Sequence, residues 1–137
     1  MTTTIKHGDY TAELIYGKGS AKKILSTYPL NYNCIVTSPP YFGLRNYCGN
    51  DNQTGYDQTL EEYIDDLVET FRLAREKLND DGTLWLNLGD SYASRSANRN
   101  RINHSHNVTR RVVQEGYKEK DLMGVPWRVA FALQKDG

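Results

Sequence analysis

The feature that most constrains the fold of this chain is a short apolar segment that ends at two consecutive prolines. Residues 34–37, Cys-Ile-Val-Thr, are apolar or β-branched, as in a buried strand. Pro39 and Pro40 cannot donate the hydrogen bonds of a sheet, and a proline keeps the residue before it extended. The strand therefore ends in a rigid loop that presents Ser38 and Tyr41, at the edge where open α/β sheets bind their ligands.

Strands and helices alternate along the chain on both sides of this loop. Ser20 is suited to cap a helix that ends before Pro29, and Pro126 is suited to the first turn of a last helix. The predicted strands are residues 12–16, 34–37 and 83–88. Because the strand–helix–strand order produces right-handed βαβ units, we predict an α/β fold with a mostly parallel sheet and flanking helices.

The clearest helix is predicted to begin after Thr59. Thr59 and Glu62 have the spacing of a capping box, and Asn-Asp-Asp-Gly at residues 79–82 is expected to end the helix. Apolar residues at helical spacing predict one buried face, made of Leu60, Tyr63, Ile64, Leu67, Val68, Phe71, Ala74 and Leu78.

Composition and charge narrow the class of protein. The 137 residues have zero net charge and are 25% charged, as in an ordinary globular domain. No stretch approaches a membrane span and the amino terminus lacks a signal-peptide core, so we expect no membrane and a cytoplasmic location. Cys34 and Cys48 match no metal-ligand spacing, so no metal site is predicted, and Cys34 is expected to be a small buried side chain.

The zero net charge hides an uneven distribution. Residues 57–81 contain nine acids and three bases, whereas residues 93–120 contain seven Lys or Arg and two Glu. The basic segment is poor in apolar residues. We therefore predict that residues 93–120 form a mobile basic loop that suits a phosphate backbone.

Residues 37–41, Thr-Ser-Pro-Pro-Tyr, resemble the catalytic loop of the amino-methyltransferases that modify the N4 amine of cytosine or the N6 amine of adenine in DNA. This form of the motif, after two apolar residues, is most similar to that of the cytosine-N4 enzymes. The resemblance implies that Ser38 and the Pro39 carbonyl accept the two N–H groups of the amine, with Pro40 stiffening the loop. Tyr41 would stack on a target base flipped out of the duplex.

Two further motifs extend the resemblance to about residues 10–137. Leu-Gly-Asp-Ser-Tyr at 88–92 and Gly-Val-Pro-Trp-Arg at 124–128 are similar to runs in the same family. The resemblance implies a cofactor-binding role for Thr37 and Asp90; Asp90 could instead bind the base edge or form an ordinary Asx-turn. Trp127 is expected in the core rather than on a base.

The methyl donor implied by the resemblance is S-adenosylmethionine. Its Phe-x-Gly-x-Gly binding turn is absent from this chain, and Lys18 stands where many relatives have an acid. The order is similar to that of a permuted class in which the catalytic motifs come first. We therefore expect a truncated, partial Rossmann-like methyltransferase fold, with residues 1–137 as the catalytic-loop half and with the cofactor half and target-recognition region beyond Gly137.

The resemblance also implies partners. Double-stranded DNA is the expected substrate and a cognate restriction endonuclease an expected companion, in a bacterial or phage-encoded system. The residues expected to contact DNA are Arg45, Arg95, Arg99, Arg101, Arg110 and Arg111. Two alternatives to a cytosine-N4 enzyme stay open at this point: an adenine-N6 enzyme, and a non-catalytic remnant that binds DNA through residues 93–120.

Overall fold

The structure of the protein is a computed structural model that describes residues 2–15, 20–29, 31–43, 53–56, 58–93 and 116–137. Its strands and helices follow one another in the order β1 (Thr2–His7), β2 (Tyr10–Ile15), α1 (Ala21–Thr27), β3 (Tyr32–Thr37), α2 (Leu60–Arg75), β4 (Leu78–Leu86) and α3 (Val125–Asp136).

A parallel βαβ unit forms the centre of the described structure. Strands β3 and β4 pair in parallel, with Ile35 opposite Leu84 and Thr37 opposite Leu86, and α2 connects them. The α/β prediction is confirmed, although the parallel sheet has two strands within the described residues.

The prediction that the first strand belongs to the parallel sheet was wrong. Strands β1 and β2 form a separate antiparallel hairpin instead of joining the parallel sheet. Gly8 has a φ of 58° at the turn between them. That left-handed conformation suits a two-residue hairpin connection, and it pairs the threonine-rich start of the chain with the strand predicted at residues 12–16.

Strand β4 begins earlier than predicted and contains the expected turn as an irregularity. Leu78 pairs with Tyr32, whereas Thr83 pairs with Cys34, so residues 79–82 bulge out of the ladder. The Tyr32 N–H also donates to the Lys77 carbonyl at 2.7 Å. The strand ends at Leu86 rather than at residue 88.

Helix α2 is the main packing element. Its capping box is present: the Thr59 hydroxyl accepts from the Glu62 N–H at 3.2 Å and the Glu62 carboxylate accepts from the Thr59 N–H at 2.7 Å. The buried side chains of its core face are Leu60, Tyr63, Leu67, Phe71 and Ala74. Burial of each large apolar side chain stabilises the fold by roughly 1.5–3 kcal/mol.

The two faces of the parallel sheet differ. Ile35 and Leu84 pack against the core cluster below α2. Their neighbours Val36 and Trp85 point to the other face, where they are 77% and 65% exposed. Cys34 shares that outer face and is exposed, so the prediction that it is buried was wrong.

Helix α3 packs on α2 through Val125 and Val129, which are buried. Trp127 lies two residues from each, about 200° around the helix. It is therefore on the opposite face, 69% exposed, and the expectation that it belongs to the core was wrong. Among the described residues, no helix is long and apolar enough to cross a membrane.

Candidate active site

The Pro-Pro loop and the segment after β4 leave the sheet side by side. Residues 38–41 follow β3 and residues 87–92 follow β4. The Asn87 N–H donates to the Thr37 carbonyl at 2.9 Å, which extends the ladder one step beyond the last paired residue of β4. The two motifs predicted to share one edge of the sheet therefore do so.

The Tyr41 ring lies against the backbone of Gly89. A β-carbon placed on Gly89 would lie 2.7 Å from Cε2 and 2.8 Å from Cδ2 of that ring. Side chains do not approach one another this closely. The absence of a side chain at residue 89 thus sets the position of Tyr41.

Three hydrogen bonds fix the end of the loop and the two residues that follow it. The buried Tyr63 hydroxyl donates to the Pro40 carbonyl at 2.9 Å. The Ser91 hydroxyl donates to the Phe42 carbonyl at 2.7 Å, and the Gly43 N–H donates to the Gly55 carbonyl at 2.9 Å. Helix α2, the segment after β4 and residues 53–56 each supply one of these partners.

The first two residues of the loop, Ser38 and Pro39, each have an oxygen atom that can accept a hydrogen bond. Ser38 is exposed, and its hydroxyl makes a long contact of 3.4 Å with the Tyr41 hydroxyl. Among the described residues, no donor binds the Pro39 carbonyl. The loop therefore presents a hydroxyl oxygen and a carbonyl oxygen on a backbone that is fixed one residue further on.

Asp90 caps helix α3. Its Oδ1 accepts from the Ser91 N–H at 2.7 Å and from the Val125 N–H at 2.9 Å, and its Oδ2 accepts from the Gly124 N–H at 3.1 Å. Gly124, the N-cap residue, has no side chain to do this. Sequence analysis missed this cap, although a helix start without a capping side chain was a signal that another residue must supply it. The cofactor role of Asp90 stays a prediction.

A cavity of about 900 Å³ adjoins the loop, and Gly89 and Tyr41 are not among the residues that line it. Thr37, Ser38, Pro39 and Pro40 line it at one end. Helix α1, strand β3 and helix α2 supply a largely apolar wall that includes Ile24, Leu25, Ile35, Leu67, Phe71 and Ala74. A volume of this size suits a small molecule.

Polar side chains join α1, α2 and residues 53–56 beside the cavity. Lys22 forms ion pairs with Asp66 and Glu69, and the Thr54 hydroxyl donates to Asp66. Burial raises the pKa of Asp66, but the hydrogen bonds from Lys22 and Thr54 outweigh it and hold that pKa below its usual value. Asp66 is thus a carboxylate that anchors residue 54.

The remaining predicted contacts lie outside the described residues. These are the six arginines expected at DNA, namely Arg45, Arg95, Arg99, Arg101, Arg110 and Arg111. Cys48 and Lys18 lie outside the described residues as well. Within the described ranges, no group of three or more His, Cys, Asp or Glu side chains could hold a metal ion.

Comparisons with known proteins agree with the family resemblance of the sequence. The sequence model of a family described as DNA methylase matches residues 32–137. The Type II methyltransferase M.SmaI of Serratia marcescens is 52% identical over 110 residues, which are 77% of this chain and 37% of that protein.

Two further relatives extend the match. M.Cfr9I of Citrobacter freundii is 46% identical over 127 residues, and M.XycI of Xanthomonas campestris pv. cyanopsidis is 45% identical over 127 residues. Each alignment covers 88% of this chain and 41% of the relative, so the chain spans about two fifths of the length of these proteins. No solved structure matches the chain.

Proposed function

This chain belongs to the DNA methylase family, and from that membership we propose that it supplies the catalytic loop of an S-adenosylmethionine-dependent methyltransferase acting on the N4 amine of cytosine in double-stranded DNA. The observation that carries the proposal is the division of the loop: the Pro40 and Phe42 carbonyls are bound, whereas Ser38 is exposed and, within the described ranges, no donor binds the Pro39 carbonyl. Two acceptors side by side match the two N–H groups of an exocyclic amine.

The acceptors address the weakness of an aromatic amine as a nucleophile. The amine lone pair is delocalised into the base ring, and hydrogen bonds from its N–H groups to Ser38 and Pro39 favour a tetrahedral nitrogen. S-adenosylmethionine, when bound, supplies an electrophilic methyl group on sulfur. Ser38 and the Pro39 carbonyl would hold the amine with its lone pair available to accept that methyl group. One N–H proton then leaves to solvent at the exposed Ser38.

The residues present fit such a donor on the cavity side of the loop. The cavity is apolar with a few polar groups, as small-molecule sites are, and it reaches Thr37 and Ser38. We assign Thr37 to donor contact. Asp90 is a weaker candidate because three backbone N–H groups already bind its carboxylate.

Tyr41 is assigned to the base. Its ring is fixed on the Gly89 side, half-buried, and a flipped base could stack on the remaining surface. The relatives carry the name Type II methyltransferase, and on that basis we also propose a cognate restriction endonuclease as the companion of this protein.

The test is methyl transfer by the complete enzyme, meaning residues 1–137 together with the remaining part of a relative's sequence, supplied in one chain or as a second polypeptide. Ser38→Ala should lower kcat by roughly a hundredfold, the lower end of what a positioned catalytic group contributes. Ser26→Ala is the matched control, since the exposed Ser26 hydroxyl donates to the Lys23 carbonyl within helix α1. Equal rates for Ser38→Ala and Ser26→Ala would refute the assignment.

Nucleoside mass spectrometry of the methylated DNA tests the target atom. N4-methylcytosine is the expected product. N6-methyladenine alone would move the enzyme to the adenine class without affecting the roles of Ser38 and Pro39, because both bases present an exocyclic NH₂ group.

A further inference from the structure

The hydroxyl of Tyr63 donates to the Pro40 carbonyl at 2.9 Å from inside the core. We propose that Tyr63 is a positioning residue of the methyl-transfer reaction: it sets the direction of the Pro39 carbonyl by fixing the next one. This inference rests on the proposed function of the loop. No sequence motif assigns Tyr63 a role, because it lies in the middle of the apolar face of α2.

The surroundings of Tyr63 leave its ring no alternative position. The residue is 0% exposed. Its ring lies 5.4 Å from that of Phe42, centroid to centroid, with an interplanar angle of 46°. On another side stands Gly55, where a β-carbon would lie 3.2 Å from Cε2 of Tyr63. The phenol is thus a rigid arm that extends from α2 to the loop.

Fixing the Pro40 carbonyl constrains the residues on both sides of it. The peptide plane between Pro40 and Tyr41 includes that carbonyl, so the hydrogen bond orients the backbone from which the Tyr41 ring projects. On the other side, the pyrrolidine ring holds φ of Pro40 near −65°. Little freedom remains for the peptide that carries the Pro39 oxygen. One buried hydroxyl therefore orients both the amine acceptor and the stacking ring.

The Tyr63 hydroxyl keeps its proton over the whole working range. Burial raises its pKa, and the negative charge of Asp66 and the neighbouring Tyr41 add to the effect. A protonated phenol always has a hydrogen to donate. The bond to Pro40 therefore does not depend on pH in the range in which the enzyme would act.

Tyr63→Phe in the complete enzyme is the direct test. The substitution keeps the ring and removes only the donor. We expect kcat to fall roughly tenfold to a hundredfold, as for a displacement of about 1 Å at a reacting group, while KM for DNA and for the methyl donor stays within about twofold. The pH profile of kcat should keep its shape.

Tyr117→Phe is the matched control, because its hydroxyl also donates to a backbone carbonyl, that of Met123, at 3.4 Å and away from the loop. It should leave kcat unchanged. A Tyr63→Phe enzyme with wild-type kcat would overturn the proposal, even if its melting temperature were lower, since Tyr63 would then only stabilise the core.

Amide hydrogen exchange of the complete enzyme provides a readout that needs no activity. The Gly43 N–H, which donates to the Gly55 carbonyl, should exchange at least about tenfold faster in Tyr63→Phe than in Tyr117→Phe. Equal exchange in the two variants would overturn the proposal whether or not the enzyme methylates DNA. Inactive wild-type enzyme with faster loop exchange in Tyr63→Phe would instead refute the proposed function and retain the positioning contact.

Discussion

The aromatic ring of Tyr41 packs so closely on Gly89 that a β-carbon there would lie 2.7 Å from it. The two residues follow neighbouring strands of the parallel sheet: Tyr41 comes after β3 and Gly89 after β4. Their contact links the Ser-Pro-Pro-Tyr loop to the Leu-Gly-Asp-Ser-Tyr segment, and it makes the stacking surface of Tyr41 depend on a residue that has no side chain.

Gly89→Ala should therefore act like a partial loss of Tyr41. The new methyl group displaces the ring, and the enzyme loses part of the stacking free energy on a flipped base, which is worth about 1–3 kcal/mol in full. Equilibrium binding of DNA with an unpaired target base measures this loss.

A double-mutant cycle separates the ring from a general disturbance of the loop. If Gly89 acts through Tyr41, adding Gly89→Ala to Tyr41→Ala should weaken binding no further. If the two substitutions weaken DNA binding additively, Gly89 is needed for the backbone conformation and not for the position of the Tyr41 ring.

The helices were predictable because their signals are local. Thr59 and Glu62, which are three residues apart, predict the start of α2, and the spacing of the apolar residues after them predicts its buried face. Ser20 caps α1 as expected. The position of the candidate site at the edge of the sheet followed from the ends of β3 and β4 in the same way.

What sequence analysis missed depends on partners distant in the chain. Residues 79–82 have the composition of a turn, and only the pairing of Leu78 with Tyr32 makes them a bulge inside β4. Asp90 reaches Gly124 and Val125, and Tyr63 reaches Pro40, across segments whose approach no local pattern encodes. Cys34 and Trp127 were predicted to be buried because they are apolar. Each is exposed because it lies on the outer face of its strand or helix.

Asp90→Ala should destabilise the fold because α3 loses its cap. Backbone N–H groups of Gly124 and Val125 would lose their acceptor, and removal of a cap typically costs about 1 kcal/mol. Urea denaturation of the complete enzyme measures the change in the free energy of unfolding.

Asp80→Ala serves as the comparison, since Asp80 is an exposed acid in the bulge of β4. It should leave the free energy of unfolding nearly unchanged. If both variants unfold at the same urea concentration as the wild type, the carboxylate of Asp90 does not stabilise α3.

The Asp66 ion pair predicts a loss of stability in acid. Its pKa is lower in the folded chain than in the unfolded one, so its contribution is fully present above the unfolded pKa of about 3.9. That contribution is lost as the pH falls through the folded pKa, which lies lower still. The free energy of unfolding should therefore fall below about pH 4.

Asp66→Asn should flatten this acid dependence, and Asp65→Asn, a neighbouring exposed acid on α2, should preserve it. Denaturation curves at several pH values from neutral to acid give the slopes. A slope that is the same in wild type and Asp66→Asn would show that other carboxyl groups determine the acid limit.

Residues 93–120, the basic segment, are predicted to contact DNA. Neutralising Arg95, Arg99, Arg101, Arg110 and Arg111 in the complete enzyme should weaken binding to all DNA sequences alike. It should also reduce the slope of log K against log salt, by about 0.9 for each phosphate that the enzyme no longer neutralises. Neutralising Lys6 and Lys23 is the control. An unchanged salt slope in the arginine variant would exclude residues 93–120 from the interface.

The last prediction is that residues 1–137 alone neither bind S-adenosylmethionine appreciably nor methylate DNA. The sequence has no Phe-x-Gly-x-Gly turn, and the chain spans about two fifths of the length of its relatives. Leu86 and Leu88 pack on the core, whereas Phe131 is exposed.

Val36 and Trp85 are exposed on the outer face of the sheet as well. Exposed apolar side chains beside a sheet edge favour association, so the isolated chain should be marginally stable or aggregate. Calorimetric titration with S-adenosylmethionine, and methyl transfer with and without the remaining part of a relative, measure both expectations. Micromolar binding by the isolated chain would mean that the cavity beside Thr37 is already a complete donor site.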